Sequence, residues 1–263
     1  MHQAACTRRE GDTLGRSAVR ETPAGRGGDE HLPNVGAAPP IGASDAGVAG
    51  VDRQALLSTL TTEHFTLQSA RGSTVAESTA RASLYVGALS SSLVAIGFIA
   101  QAAQMGDAFR VFVLVVLPAV YVLGLFTLVR VVYSSVEDLH YGRAINRIRA
   151  YYLQLAGPAA RYFSMVAHDD AAGVLANMAI ARPSRWQLYY TLGTLVAVLN
   201  AMVGAACVAF FTAGVLGAPL LASAAIGALA GLVSLGLSMR WQREVHIQAR
   251  DRGAVLFPSP AGE

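Results

Sequence analysis

Lysine is absent from this chain of 263 residues, and its twenty strongly basic side chains are all arginines. Charged residues make up only 14% of the sequence, whereas an average soluble domain has about 25%. The shortage is concentrated in three stretches without any Asp, Glu, Lys, Arg or His, namely 82–103, 111–129 and 188–239. These stretches exclude an ordinary soluble domain over more than a third of the chain.

Cysteine and the usual catalytic motifs are also scarce. The two cysteines, Cys6 and Cys207, provide neither a disulfide framework nor a metal-binding spacing, so we predict two free thiols. The sequence has no HExxH, Walker, GxSxG or GxGxxG motif. We therefore predict no catalytic residue, no metal site and no cofactor, and we expect a protein that is not an enzyme.

The uncharged stretches are long enough to cross a membrane. About 18 apolar residues in a helix span a hydrocarbon core roughly 30 Å thick, and four crossings fit at 82–104, 111–133, 188–213 and 218–239. Spanning segments must satisfy their own backbone groups, and these segments lack the alternation of barrel strands. The predicted fold is an all-α polytopic membrane protein, with four transmembrane helices in two hairpins and a cytoplasmic helical layer.

Composition divides the chain into six regions. Residues 1–50 have few large apolar side chains and are predicted to be disordered. Asp52 is a plausible N-cap for a stalk helix that continues into the first span. The remaining regions are predicted in this order: a cytoplasmic stalk 51–81, hairpin 1 at 82–133, a cytoplasmic insert 134–185, hairpin 2 at 186–240 and a cytoplasmic tail 241–263.

Arginine placement predicts the orientation. The insert contains six arginines, whereas the two short links between paired spans contain only Arg110. Positive residues favour the cytoplasmic side. We expect a bacterial plasma-membrane protein with its N- and C-termini in the cytoplasm.

The insert is predicted to form three short helices. Ser135 begins a motif that resembles a capping box, and Gly157-Pro158 is typical of a helix end. A second helix is predicted to reach about His168, and a third is predicted at 171–180. Ser184 is predicted to cap the third span.

The first insert helix has an apolar stripe that needs a partner. A matching stripe on the stalk predicts that the two helices pack together. Arg147 lies almost opposite its stripe, so we expect Arg147→Asp to leave stability unchanged. The stripes are formed by Tyr141, Ile145, Ile148, Tyr152 and Leu155 of the insert and by Leu56, Leu57, Leu60, His64 and Leu67 of the stalk.

Two polar clusters in the insert are candidate sites. Arg143, Arg147 and Arg149 lie near the membrane, where arginines bind anions or lipid head groups, although orientation and solvation alone also explain them. His168-Asp169-Asp170 contains potential metal ligands, but no further ligand is found at a metal-binding spacing. We favour a helix end followed by an acidic N-cap at this motif.

Small residues recur every fourth position in the predicted spans. Such rows let helices approach closely in lipid. The first span has a row at Ser83, Gly87, Ser91 and Ala95. The row in span three is predicted to pack closely against span four or a second copy of the chain. The predicted seam residues are Gly193, Ala197, Ala201, Ala205, Ala209, Gly227 and Gly231. Asn200 in span three is expected to form an interhelical hydrogen bond.

Several runs resemble an uncharacterised family of actinobacterial multi-pass membrane proteins. They are Glu63-His64-Phe65, residues 137–149, Tyr151-Tyr152 and His168-Asp169-Asp170. The resemblance covers about residues 55–245 and implies location and topology only. More loosely, the predicted architecture is similar to small membrane effectors of bacterial nucleotide-signal defence systems.

Three function classes follow. The first is a non-enzymatic membrane protein that self-associates or binds a cytoplasmic protein, with no nucleic-acid partner; a membrane effector is its sharpest version. The second is a small channel or transporter, in which Ser90–Ser92, Asn200, Ser234 and Ser238 line one path. The third is an intramembrane enzyme, for which the sequence offers no catalytic pair.

Overall fold

A computed structural model of the protein describes residues 52–178, 191–251 and 253–260. Within these ranges the chain is helical apart from its links, with no strand. The helices are α1 Arg53–Ala102, α2 Asp107–Ala156, α3 Ala171–Asn177, α4 Leu192–Gly214 and α5 Leu220–Asp251, and a 3₁₀ helix Gly157–Tyr162 follows α2. Four of them, α1, α2, α4 and α5, are long and apolar enough to cross a membrane. The predicted all-α class and the four apolar helices are confirmed for the described residues.

The stalk and the first apolar segment form one unbroken helix. The Asp52 carboxylate accepts a hydrogen bond from the Gln54 N–H at 3.0 Å, which confirms the predicted N-cap of α1. From there α1 continues for 50 residues. At 1.5 Å per residue its length is about 75 Å, more than twice the thickness of a hydrocarbon core.

The predicted helix start at Ser135 is wrong, because α2 passes through this residue without a break. The Ser135 hydroxyl donates to the Val132 carbonyl at 2.6 Å and therefore does not cap a new helix. Gly157 ends α2 with a φ of 52°, as the Gly-Pro pair predicts. The predicted second helix is also shorter than expected, since the 3₁₀ helix ends at Tyr162 and not near His168.

The next helix boundaries are set by short polar side chains. Asp170 caps α3 by accepting from the Gly173 N–H at 2.7 Å, which confirms the acidic N-cap. Thr191 caps α4 by accepting from the Thr194 N–H at 3.2 Å, so α4 begins at Leu192 and later than the predicted 188. Ser184 lies in 179–190, outside the described residues.

The central helix is α2, which contacts α1, α3, α4 and α5. Helices α1 and α2 are antiparallel, because Tyr85 lies beside Gly124 while Thr61 lies beside Tyr152. A buried cluster from α1, α2 and α4 forms the core of the apolar part, and it includes Tyr85, Val113, Leu117, Val132 and Val196.

The segments outside the apolar stretches meet at one end of the molecule, which we name the polar end. It consists of residues 53–81 of α1, 134–156 of α2, the 3₁₀ helix, α3, residues 240–251 of α5 and the C-terminal segment 253–260. Hydrogen bonds between α1 and α2 and between α2 and α5 hold these pieces together. Helix α5 thus extends well beyond the predicted end of its span at 239.

Candidate functional site

The predicted contact between the stalk and the insert is present at the polar end. The His64 ring of α1 meets the Tyr152 ring of α2 edge to face, with centroids 6.1 Å apart. The Tyr152 hydroxyl lies 3.2 Å from Thr61 Oγ1, and Ile148 is buried. Tyr141 is an exception in the stripe, because it lines a cavity shared with α5. The polar end is therefore a packed helical unit.

Ion pairs reinforce the α1–α2 contact close to the apolar segments. Arg71 binds Asp138 with an Nε–Oδ1 distance of 2.6 Å. Arg130 lies 3.2 Å from both Glu77 and Glu137 and joins the two helices about two turns further along. These pairs are partly exposed, so each contributes modestly to stability.

Asp169 forms the most connected polar cluster. Its carboxylate is 0% exposed and accepts hydrogen bonds from Arg147 Nε at 2.5 Å and from the Phe257 N–H at 2.7 Å. Burial alone would raise the pKa of Asp169, but the bonds from Arg147 and from the Phe257 and Leu256 backbone outweigh it and lower the pKa. The expectation that Arg147 is merely solvated is therefore wrong.

Asp170 extends the same attachment. Besides capping α3, it accepts from the Ser259 N–H at 2.9 Å and from the Ser259 hydroxyl at 2.8 Å. The adjacent carboxylates Asp169 and Asp170 thus bind the C-terminal segment to the start of α3. Across the described ranges, no three His, Cys, Asp or Glu side chains are placed to hold a metal ion. Sequence reasoning found the cap at Asp170 but missed the role of Asp169.

The three candidate arginines have different environments. Arg143 is buried and donates to the carbonyls of Ala249 at 3.2 Å and Arg250 at 2.8 Å, near the C-terminal end of α5. A cation is favourable there because helix carbonyls carry partial negative charge. Arg147 binds Asp169, as above. These two guanidinium groups thus form internal contacts that join α2 to the C-terminal part of the chain.

Arg149 is the candidate that faces an open cleft. Its Nη1 donates to Asn146 Oδ1 at 2.9 Å and to the Val166 carbonyl at 3.3 Å, both uncharged. Among the described residues it forms no ion pair. Burial and the nearby Arg71 lower the pKa of Arg149, which is the mark of a cation without a counter-charge.

We name the space beside Arg149 the Arg149 cleft. Its volume is about 540 Å³, and it lies between α1 and α3 with α2 as its floor. Two arginines and one aspartate give the walls a formal charge of +1, which favours an anion. The lining residues are Gln68, Arg71, Gly72, Val75, Asp138, Gly142, Ile145, Asn146, Arg149, Met165, Val174, Asn177 and Met178.

In the apolar part, the small-residue seam joins α4 to α5. A methyl group built on Gly227 would lie 2.5 Å from the Ala205 carbonyl oxygen, and one on Gly231 would lie 2.8 Å from the Ala205 Cβ. Ala201 and Ala209 complete the same contact. The other two candidates lie elsewhere: Gly193 faces Gln242 and Val132, and Ala197 belongs to the buried cluster with α1 and α2.

The residues of the predicted conduction path form separate hydrogen bonds and line none of the three cavities. Asn200 is 2% exposed and accepts from the Tyr85 hydroxyl at 3.3 Å, which confirms its interhelical hydrogen bond. Ser234 bonds to Tyr121 at 3.1 Å, whereas Ser91 is exposed on α1 and donates to its own helix. None of these residues lines the Arg149 cleft, the cavity beside Tyr141 or a third cavity beside Gln242.

Comparison of the chain with protein-family models, with curated proteins and with solved structures finds no match. The proposed function therefore depends on the geometry of the chain itself.

Proposed function

We propose that this chain is a non-enzymatic plasma-membrane protein that associates with further copies of itself and binds a cytoplasmic partner. Its four apolar helices cross the bilayer as two hairpins, and the polar end and both termini are cytoplasmic. The arginine distribution supports this orientation. A membrane effector, which responds to a cytoplasmic signal by assembling in the bilayer, is the sharpest version of the proposal.

The observation that carries self-association is an unused row of small residues on α1. Ser83, Gly87 and Ser91 are exposed, and a methyl group on Gly87 would meet nothing within 4 Å. Only 11% of the most apolar window of α1 is buried, against 33% in α2 and α4. Rows of small residues let helices pack closely in lipid. The row on α1 therefore suits packing against a second copy, as the row on α4 packs against α5.

Cross-linking in membranes tests this interface. In a background with Cys207→Ala and Cys6→Ala, we expect Ser83→Cys and Ser91→Cys to form disulfide dimers. Adding Gly87→Leu should reduce dimer formation at least fivefold, because the larger side chain holds the helices apart. Leu93→Cys, on another exposed face of α1, is the matched control. Equal cross-linking at Leu93, or no effect of Gly87→Leu, would contradict the proposed interface.

The Arg149 cleft is the surface that we assign to the cytoplasmic partner. An uncompensated guanidinium in a concave cleft beside Arg71 favours a carboxylate or phosphate group, and arginine suits such groups because of its planar donor geometry. Met165 and Met178 supply adaptable apolar walls beside this charge. The alternative of a small channel or transporter has less support, because Asn200 and Ser234 are already bonded to tyrosines in the described chain.

A further inference from the structure

His64 lies beside the Arg149 cleft, at the contact between α1 and α2. Its ring Nε2 is 2.9 Å from the Nε2 of Gln68, which lines the cleft. Across the contact, the His64 ring meets Tyr152, which stands three residues beyond Arg149 and therefore on the same face of α2. His64 is thus a half-buried titratable group close to the arginine that has no counter-charge.

The hydrogen bonds of His64 show which ring nitrogen receives an added proton. An amide nitrogen can only donate, so Gln68 Nε2 donates to His64 Nε2, and the neutral ring carries its hydrogen on Nδ1. Nδ1 is buried and has no hydrogen-bond partner in the described part of the chain. An added proton must therefore arrive at Nε2, the nitrogen that faces Gln68.

Arg149 is the charged group that opposes a positive His64. Burial lowers the pKa of His64, and repulsion by Arg149 lowers it further, so the neutral ring is favoured while the cleft is empty. An anion bound to Arg149 would offset this repulsion. The other titratable or charged groups that α1 and α2 bring to this region are exposed or already bonded, namely Glu63, Arg71 with its partner Asp138, and Tyr152.

We propose that His64 is a second cation of the Arg149 site, which takes up a proton at Nε2 when an oxyanion such as a phosphate group binds Arg149. This inference rests on the anion-binding cleft of the proposed function. The proton comes from solvent and stays on the ring. The Gln68 amide then turns so that its oxygen accepts from His64 Nε2, which releases the amide N–H groups to donate to the anion in the cleft.

The coupling predicts stronger anion binding at lower pH. Because the anion favours the charged ring, binding is accompanied by proton uptake, and protonation strengthens binding by the same factor. The affinity therefore rises as the pH falls through the pKa of His64 in the occupied protein, and it levels off below the lower pKa of the empty protein. We expect a rise of about tenfold between about pH 8 and about pH 5, a range that spans the ordinary pKa of histidine.

Calorimetry with sulfate on the purified full chain in detergent tests the coupling, because sulfate keeps its double charge throughout this range. His64→Gln retains an amide that can bond to Gln68 but takes up no proton, so its affinity should change with pH by less than about twofold. His140→Gln, at an exposed histidine of α2 that lines a different cavity, is the matched control and should keep the full pH dependence. Repeating the native titration in buffers of different ionisation enthalpy should show uptake of up to about one proton per sulfate.

Two results would overturn the role of His64. One is equal pH dependence in His64→Gln and His140→Gln, and the other is sulfate binding to the native chain without proton uptake. In either case, loss of sulfate binding in Arg149→Gln would leave the anion-binding cleft in place. Absence of sulfate binding to the native chain at every pH would refute the cleft itself and this inference with it. Proton uptake is measured on the native chain, and thermal unfolding checks that both histidine variants fold.

Discussion

The apolar part and the polar end of this protein join their helices by different means. In the apolar part, α4 meets α5 through alanines and glycines whose backbones nearly touch. At the polar end, helices are joined by ion pairs, by ring contacts and by the buried Asp169. In the proposed membrane arrangement, lipid offers no hydrophobic driving force for helix association, so close packing of small residues supplies the attraction. In water, burial of large apolar side chains stabilises the contact, and ion pairs fix the register between the helices.

The largest expected change in stability is at the polar end, where Arg147 binds the buried Asp169. Arg147→Asp would place a second carboxylate against the fully buried Asp169 and remove its cation. Breaking a buried pair typically costs about 3–5 kcal/mol, and we expect a loss of this size in the free energy of unfolding. Arg161→Asp, at an exposed arginine whose guanidinium contacts Tyr162, is the control and should change stability little. Chemical unfolding in detergent, followed by circular dichroism, measures both.

An unchanged free energy of unfolding in Arg147→Asp would contradict this expectation. It would mean that the C-terminal segment detaches at no cost, so that Asp169 is solvated in the variant. Limited proteolysis of residues 253–260 distinguishes this case, because a detached segment is cleaved faster than a docked one.

A smaller effect is expected at the small-residue seam. Gly227→Ala places a methyl group against the Ala205 carbonyl, and overpacking of this kind costs about 1–3 kcal/mol. Gly236→Ala on the same helix meets nothing within 4 Å and should be neutral or stabilising by up to about 1 kcal/mol, since alanine favours helix. Thermal unfolding in lipid nanodiscs gives both values. Equal behaviour of the two variants would show that α4 and α5 do not depend on close approach.

The smallest effect on stability is expected at Arg149, because its hydrogen bonds go to uncharged acceptors. Arg149→Gln keeps a hydrogen-bond donor near Asn146 and Val166, so the free energy of unfolding should change by less than about 1 kcal/mol. Binding of pyrophosphate, the probe anion, should fall at least tenfold by calorimetry. Arg161→Gln again serves as the control. Unchanged binding in Arg149→Gln would remove the anion site from the Arg149 cleft.

Features that depend on neighbouring residues were predictable from the sequence. Asp52 and Asp170 cap helices because a short carboxylate before a helical run reaches the first free N–H groups. Gly157 ends α2 because glycine accepts a positive φ. The predicted helix start at Ser135 was wrong because a serine hydroxyl can equally donate to a carbonyl of the preceding turn and leave the helix intact. The four-residue spacing predicted the α4 row, and the structure decided between its two predicted partners, because the row packs against Gly227 and Gly231 of α5.

Bonds between side chains and distant backbone groups were not predictable. Asp169 binds backbone groups of Leu256 and Phe257, and backbone groups leave no trace in the sequence. Nothing in the spacing of Arg147 separates a solvated arginine from one bonded to a carboxylate 22 residues later. The distinction between Arg149 and its two neighbours likewise appears only when α1, α3 and the C-terminal segment are in place.

The unbroken course of α2 makes it a mechanical lever. The part beyond residue 133 continues for 23 residues to Ala156, which at 1.5 Å per residue is an arm of about 35 Å. A change of about 10° in the tilt of the spanning part would swing the tip of this arm by about 6 Å. Helix tilt responds to bilayer thickness. In the proposed membrane arrangement, a change in bilayer thickness would therefore appear as a displacement at the polar end.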